Sequence, residues 1–190
     1  MARTAQLDAR REQLLRVGKD VFSDRAYDAV STEEIAEAAG ISIGLLYHYF
    51  SSKKGFYVAT IRAAADELLS TIQFPAGSSL AMSARDSISR FLDFIEQNAR
   101  LYVSLMRGGV GADAQVHAIV DDVRCRILSR LLDAANVDPT PSLRLRLHGW
   151  VGFVEATTLR WLTHREVERA ELVAMLLSSV PDGLMPEARS

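Results

Sequence analysis

The sequence predicts an all-α protein, with a small N-terminal unit of three helices followed by a larger helical body. Three observations carry this reading. Apolar residues recur at helical spacing along most of the chain. No stretch of any length alternates with the period of two that a half-buried strand requires. Helix caps and turn glycines punctuate the first third of the chain at short intervals.

Leu14, Val17, Gly18, Val21 and Phe22 share one helical face, which places the first helix at about 8–24. A short connection, 25–30, follows. Ser31-Thr32-Glu33-Glu34 has the form of a capping box, in which Ser31 accepts from the backbone of Glu34 and Glu34 reaches back. Ile35, Ala36 and Ala39 form the buried side of a two-turn helix, and Gly40 supplies the left-handed residue that stops it. Ser42 then caps a third helix, Ile43 to about Phe50. Two short helices joined through a glycine-containing turn make a helix-turn-helix. Ile41, Leu46 and Phe50 should face Leu14, Val21 and Ile35, leaving Ile43, Gly44, Tyr47 and His48 outward. Further helices are expected at 56–73, 83–98, 101–107, 114–135, 142–163 and 169–180. Loops are expected at 75–79, at Gly108–Gly111 and at Asp138-Pro139-Thr140-Pro141.

Composition narrows the function classes. Of 190 residues, 48% are apolar and the net charge is −2, an ordinary globular balance. Total charge therefore lends no support to nucleic-acid binding, and any such case rests on where charge is placed. The single cysteine, Cys125, excludes an intrachain disulfide, and its expected role is that of a small packing residue. The first residues lack the apolar run of a secretory signal, and no segment reaches the length of a membrane span, so a cytoplasmic location without membrane attachment is expected. His117, His148 and His164 do not combine with acids at metal-ligand spacing. Gly109-Val110-Gly111 lacks the strand and third glycine of a phosphate loop, and no serine sits in a nucleophile turn. No catalytic constellation, metal or cofactor is expected.

Ile35-Ala36, Ala39-Gly40-Ile41-Ser42, Gly44, Tyr47-His48-Tyr49-Phe50 and Ser52-Lys53 resemble, without a gap, the N-terminal signature of the TetR family of transcriptional regulators. The resemblance covers about 10–58. Beyond it, chain length, helix count, Gly149-Trp150 and the run 159–162 agree only loosely with the family. It implies residues 1–54 as a helix-turn-helix DNA-binding domain with an N-terminal arm. It implies 55–190 as a helical ligand-binding and dimerisation domain. The expected protein is a repressor that binds a palindromic double-stranded DNA operator as a homodimer and is released when a small, hydrophobic effector shifts the fourth helix.

Site residues follow from the matched positions. Thr32 and Ser42 stand where hydroxyls or helix-end amides meet phosphate, Tyr47 where a tyrosine meets the backbone, and Lys53 where a lysine reaches phosphate. Ile43, Gly44 and Leu45 stand where base edges are approached. General physics agrees, since helix N-termini and hydroxyls are ordinary phosphate partners. Ile43 and Leu45 suit thymine methyls, and His48 can donate to an acceptor. Glu33 either accepts from a cytosine amine or complements the helix dipole. Arginines Arg3 or Arg10 would enter the minor groove. Within 1–55, eight basic side chains are cancelled by eight acidic ones, unlike a strongly basic binding domain.

In the body, one face of 142–163 carries Gly149, Gly152, Phe153, Ala156 and Arg160. With Leu172 and Leu176 of the last helix these residues are the expected dimer surface, the alternative being packing within the subunit. Phe91, Phe94, Tyr102, Met106, Val123, Trp150 and Val154 are the expected ligand contacts, against the alternative of plain core. Glu155 either anchors a ligand or pairs with an arginine across the interface. A rival function remains, that of a helical small-molecule-binding or enzymatic protein whose helix-turn-helix is vestigial.

Overall fold

The computed structural model describes residues 2–23, 25–75, 79–109, 113–182 and 184, with side chains from Leu7 onward except at 108 and 109. Among these, nine α-helices and no strand occur. They are α1 (Ala2–Ser23), α2 (Thr32–Ala38), α3 (Ile43–Phe50), α4 (Lys53–Thr71), α5 (Leu80–Gln97), α6 (Ala99–Ser104), α7 (Ala114–Ala135), α8 (Pro141–His164) and α9 (Arg169–Ser178). A 3-10 turn at Tyr27–Ala29 sits in the first connection, and a π turn, Leu105–Gly109, continues α6.

α1 begins at Ala2 rather than at about residue 8. Its first residues include Ala2, Arg3, Ala5, Gln6 and Leu7, all good helix formers, with no glycine or proline to stop it. α4 begins at Lys53 rather than Phe56 because Ser52 caps it, its Oγ accepting from the Gly55 amide at 2.9 Å. The expected loop residues 76–78 and 110–111 lie outside the described residues.

Two compact units result, Met1–Glu67 with Asn98–Val120, and Leu68–Gln97 with Asp121–Ser190. In the first, α6 packs on α1, and Leu14, Phe22, Ile35, Leu46, Phe50, Phe56 and Ile61 are buried. Phe22 meets Phe56 and Tyr57 with ring centroids 5.9 and 4.8 Å apart, and Phe50 meets Phe56 at 4.9 Å. Gly18 permits this. A Cβ there would lie 2.3 Å from Thr60 Oγ1, so any side chain would push α1 off α4. Lys54 pairs with Asp113 at 2.8 Å, tying the 98–120 segment to the start of α4.

In the second unit, α9 packs on α5, and Leu92, Ile95, Leu172 and Leu176 are fully buried. A second cluster joins Leu131, Leu143, Leu147 and Leu184, with Phe74, Leu80 and Trp150 against it. Arg169 bonds the Ser89 carbonyl and the Asp93 carboxylate, and Arg165 pairs with Glu96 at 2.7 Å, so charge as well as apolar area fastens α9 and the end of α8 to α5.

Candidate nucleic-acid interface

Local chemistry sets the two helices of the site. The capping box forms as expected: Ser31 Oγ accepts from the Glu34 amide at 3.1 Å, and Glu34 Oε2 accepts from the Ser31 amide at 2.6 Å. Arg25 adds a third bond to Glu34 at 2.5 Å. That bond first, and the two Ser31 bonds after it, hold the carboxyl at about 2, well below its ordinary 4.5. α2 stops where Gly40 takes φ +62. The Gly40 amide then bonds Glu37 O and the Ile41 amide bonds Ala36 O, each at 3.0 Å, which satisfies the last carbonyls of the helix. Ser42 caps α3 by accepting from the Leu45 amide at 3.2 Å.

The inward and outward faces of α3 separate cleanly. Leu46 and Phe50 are buried. Gly44, Leu45, Tyr47 and His48 are exposed, and Ile43 is half-buried. A Cβ at Gly44 would meet nothing nearer than Ser42 Oγ at 3.9 Å, so the glycine fills no tight spot in the chain itself. The turn that positions this face closes at Ser51, whose φ is +63, and at Gly55, where a Cβ would lie 2.1 Å from Phe50 O.

The polar groups around that face are arranged in pairs. Thr32 Oγ1 and Tyr47 Oη lie 3.4 Å apart, so one hydroxyl from the start of α2 and one from α3 converge on a single spot. Sequence spacing named both residues but not their convergence, which depends on the angle between the helices. Lys53 Nζ sits 4.3 Å from the Tyr27 ring centroid, its stem half-buried, so its charge is held close to the domain. Glu33 is exposed in the first turn of α2. Arg10 lies in α1 and donates to Gln13 at 2.7 Å, while Arg11 stands over the Phe50 ring at 5.4 Å. The side chain of Arg3 lies outside the described residues.

The other expected residues divide differently. Gly149, Gly152, Phe153, Ala156 and Arg160 are all exposed on α8. A Cβ at either glycine would meet nothing within 4 Å, and Arg160 pairs with Glu166 beside them. Leu172 and Leu176 depart from expectation. Both are 0% exposed in the core of their own unit, so the side chains that α9 presents outward are those of Ala170, Glu171, Ala174, Met175 and Ser178. Cys125 is exposed rather than packed. Glu155 pairs with an arginine of its own chain, since Arg124 Nε and Nη2 grip both carboxylate oxygens at 2.8 Å. Of the expected ligand contacts, Tyr102 and Met106 fall in the first unit and Phe91, Phe94, Val123, Trp150 and Val154 in the second. Phe94 and Tyr102 are buried and the rest half-buried. A cavity of about 680 Å³ in the second unit is lined by none of the seven.

A capped helix-turn-helix with an outward α3 and converging hydroxyls defines the class, a DNA-binding transcription regulator. Known proteins make this specific. Residues 14–60 match the family described as bacterial regulatory proteins, tetR family, and residues 81–181 match the tetracyclin repressor-like C-terminal domain. The chain belongs to the TetR family. It is similar to a TetR-family regulator from Streptomyces coelicolor, with 36% identity, a TM-score of 0.81, and coverage of 90% of this chain and 78% of that one. It is similar also to the transcriptional repressor KstR of Rhodococcus jostii, 27% identical over 88% of this chain and 82% of KstR. The activator FasR of Mycolicibacterium smegmatis is 35% identical over 60% of this chain, a stretch that spans only 52% of FasR. No described helix is long and apolar enough to cross a membrane.

Proposed function

We propose that the chain is a ligand-responsive repressor that binds a palindromic operator as a homodimer in the cytoplasm. Residues 1–54 act as its DNA-binding domain and 55–190 as its ligand-binding and dimerisation domain. The observation that carries the reading is the Thr32–Tyr47 hydroxyl pair beside the exposed α3 face. Two hydroxyls within 3.4 Å at a helix start suit one phosphate, and Ser42 and Lys53 supply further backbone partners. Such contacts fix register, and Ile43 and Leu45 then approach thymine methyls. The repressor sign is supported by KstR, which is similar to this chain over most of both lengths; FasR, named an activator, supports the opposite sign over a shorter stretch.

The dimer uses the exposed α8 face, Gly149, Gly152, Phe153 and Ala156, where small residues let a partner helix come close. Dimerisation sets two α3 helices about 34 Å apart, one turn of DNA. An effector that favours a different spacing lowers operator affinity in proportion to its preference for that state. Selection from a randomised duplex pool, followed by anisotropy against salt, tests this. An inverted repeat bound by two subunits is expected, and absence of binding at low salt overturns the reading.

A further inference from the structure

Gly44 has no reason inside its own chain to be a glycine. Gly18 and Gly55 are forced, since a Cβ would lie 2.3 Å from Thr60 Oγ1 and 2.1 Å from Phe50 O, and Gly40 is required by its φ of +62. None of this holds for Gly44. It is the second residue of α3, its φ lies outside the left-handed region, and a Cβ would meet only Ser42 Oγ, at 3.9 Å. Proline apart, glycine is the poorest helix former, so alanine at this position would favour α3 in the free chain.

The neighbours of Gly44 leave a notch over it. Half-buried Ile43 stands on one side and exposed Leu45 on the other. One turn on, Tyr47 points its hydroxyl to Thr32 at 3.4 Å, and His48 sets its ring edge-on to Tyr49 at 5.7 Å, so neither covers the glycine. The exposed residues of α3 include no arginine, lysine, asparagine or glutamine, the side chains that read guanine or adenine through paired hydrogen bonds. A helix-turn-helix sets its second helix in the major groove. The apolar group that projects there from a base edge is the thymine 5-methyl.

We propose that Gly44 is a specificity-determining residue: the notch over its Cα seats one thymine methyl per half-site, with Ile43 and Leu45 as the rim. The thymine methyl takes the space that a Cβ would fill. Both cannot be present unless α3 lifts from the groove.

The notch rests on the operator-binding reading, and its test keeps the two apart. Anisotropy compares the parent with Gly44→Ala on the operator recovered by selection. It also uses duplexes in which each thymine in turn is replaced by deoxyuridine, which removes only the 5-methyl. Gly44→Ala should melt no lower than the parent and should bind random duplex at low salt equally well. On the natural operator it should lose about tenfold or more per half-site, the scale of one mismatched base pair. Deoxyuridine at one thymine per half-site should restore most of that loss while weakening the parent. A merely structural role for Gly44 would not give opposite signs at one position. The assignment fails if Gly44→Ala binds the operator like the parent, if no single deoxyuridine restores it, or if the half-site holds no thymine. In each of these cases the parent still binds its inverted repeat, and the operator-binding reading stands. A parent that binds no duplex at low salt overturns both.

Discussion

The outward faces of α3 and α8 are both exposed and both carry large apolar side chains, yet they are framed differently. On α3, Leu45 and Tyr47 are flanked by a second hydroxyl, a capping serine and a lysine held against an aromatic ring. On α8, Leu145 and Phe153 are flanked by Gly149, Gly152 and Ala156, with no hydroxyl pair. Exposed apolar area alone marks a contact surface. Its neighbours say what kind. Hydroxyls and fixed charge suit the phosphates of a duplex, whereas small residues admit another helix backbone.

The largest effect should come from breaking the α8 side of that comparison. Gly152→Arg puts a long charged side chain where the open face must meet its partner. The protein should become monomeric by sedimentation, and operator affinity should fall by more than about 100-fold, because two linked half-site contacts become one. The α3 surface itself is untouched, so weak non-specific DNA binding should persist. A dimer that survives Gly152→Arg would return the α8 face to ordinary surface.

The α3 side is tested more gently. Tyr47→Phe removes one hydroxyl of the Thr32 pair and leaves the ring. Operator affinity should fall by about tenfold or somewhat more, the lower end of the worth of one hydrogen bond to a charged group, with the salt slope unchanged. Lys53→Ala removes a charge instead, and should lower the slope of log affinity against log salt by about one per subunit. Equal loss on every sequence in both variants would fit contacts that position the protein without reading bases. A change in sequence preference would move these residues from the backbone to the base edges.

What was legible in the sequence follows the same division. The caps at Ser31 and Ser42, the turn at Gly40 and the limits of α3 are decided by residues within four positions of one another, and sequence spacing reads such chemistry directly. α7 likewise runs Ala114–Ala135 as its periodicity required. The Thr32–Tyr47 convergence was not legible, because it spans 15 positions and depends on a packing angle. Nor was the inward turn of Leu172 and Leu176. An apolar stripe on α9 fits a partner subunit or the chain's own α5 equally well, and only the packing chooses. The 98–120 segment joins the N-terminal unit through α6 on α1 and Lys54 with Asp113, contacts between residues far apart in sequence.

The smallest effect concerns how the α3 surface is held in place by its neighbour α2, a local dependence that α8 does not share. Glu34 closes the cap of α2, and its folded carboxyl titrates at about 2 against an ordinary 4.5. A depressed carboxylate contributes stability that is fully present above 4.5. That contribution is lost as pH falls towards about 2, because the protonated form loses the charge that Arg25 and the Ser31 amide bond to. The helix-turn-helix should therefore loosen over this window, seen as faster amide exchange at Ser31 and Glu34, while α8 amides change less. Glu34→Gln should flatten the difference between pH 5 and pH 2. Since the group is exposed, added salt should shrink the effect in the parent as well. Parallel pH dependence in parent and variant would mean that the Ser31 hydroxyl alone holds the start of α2, and that the orientation of α3 owes nothing to the acidic residue beside it.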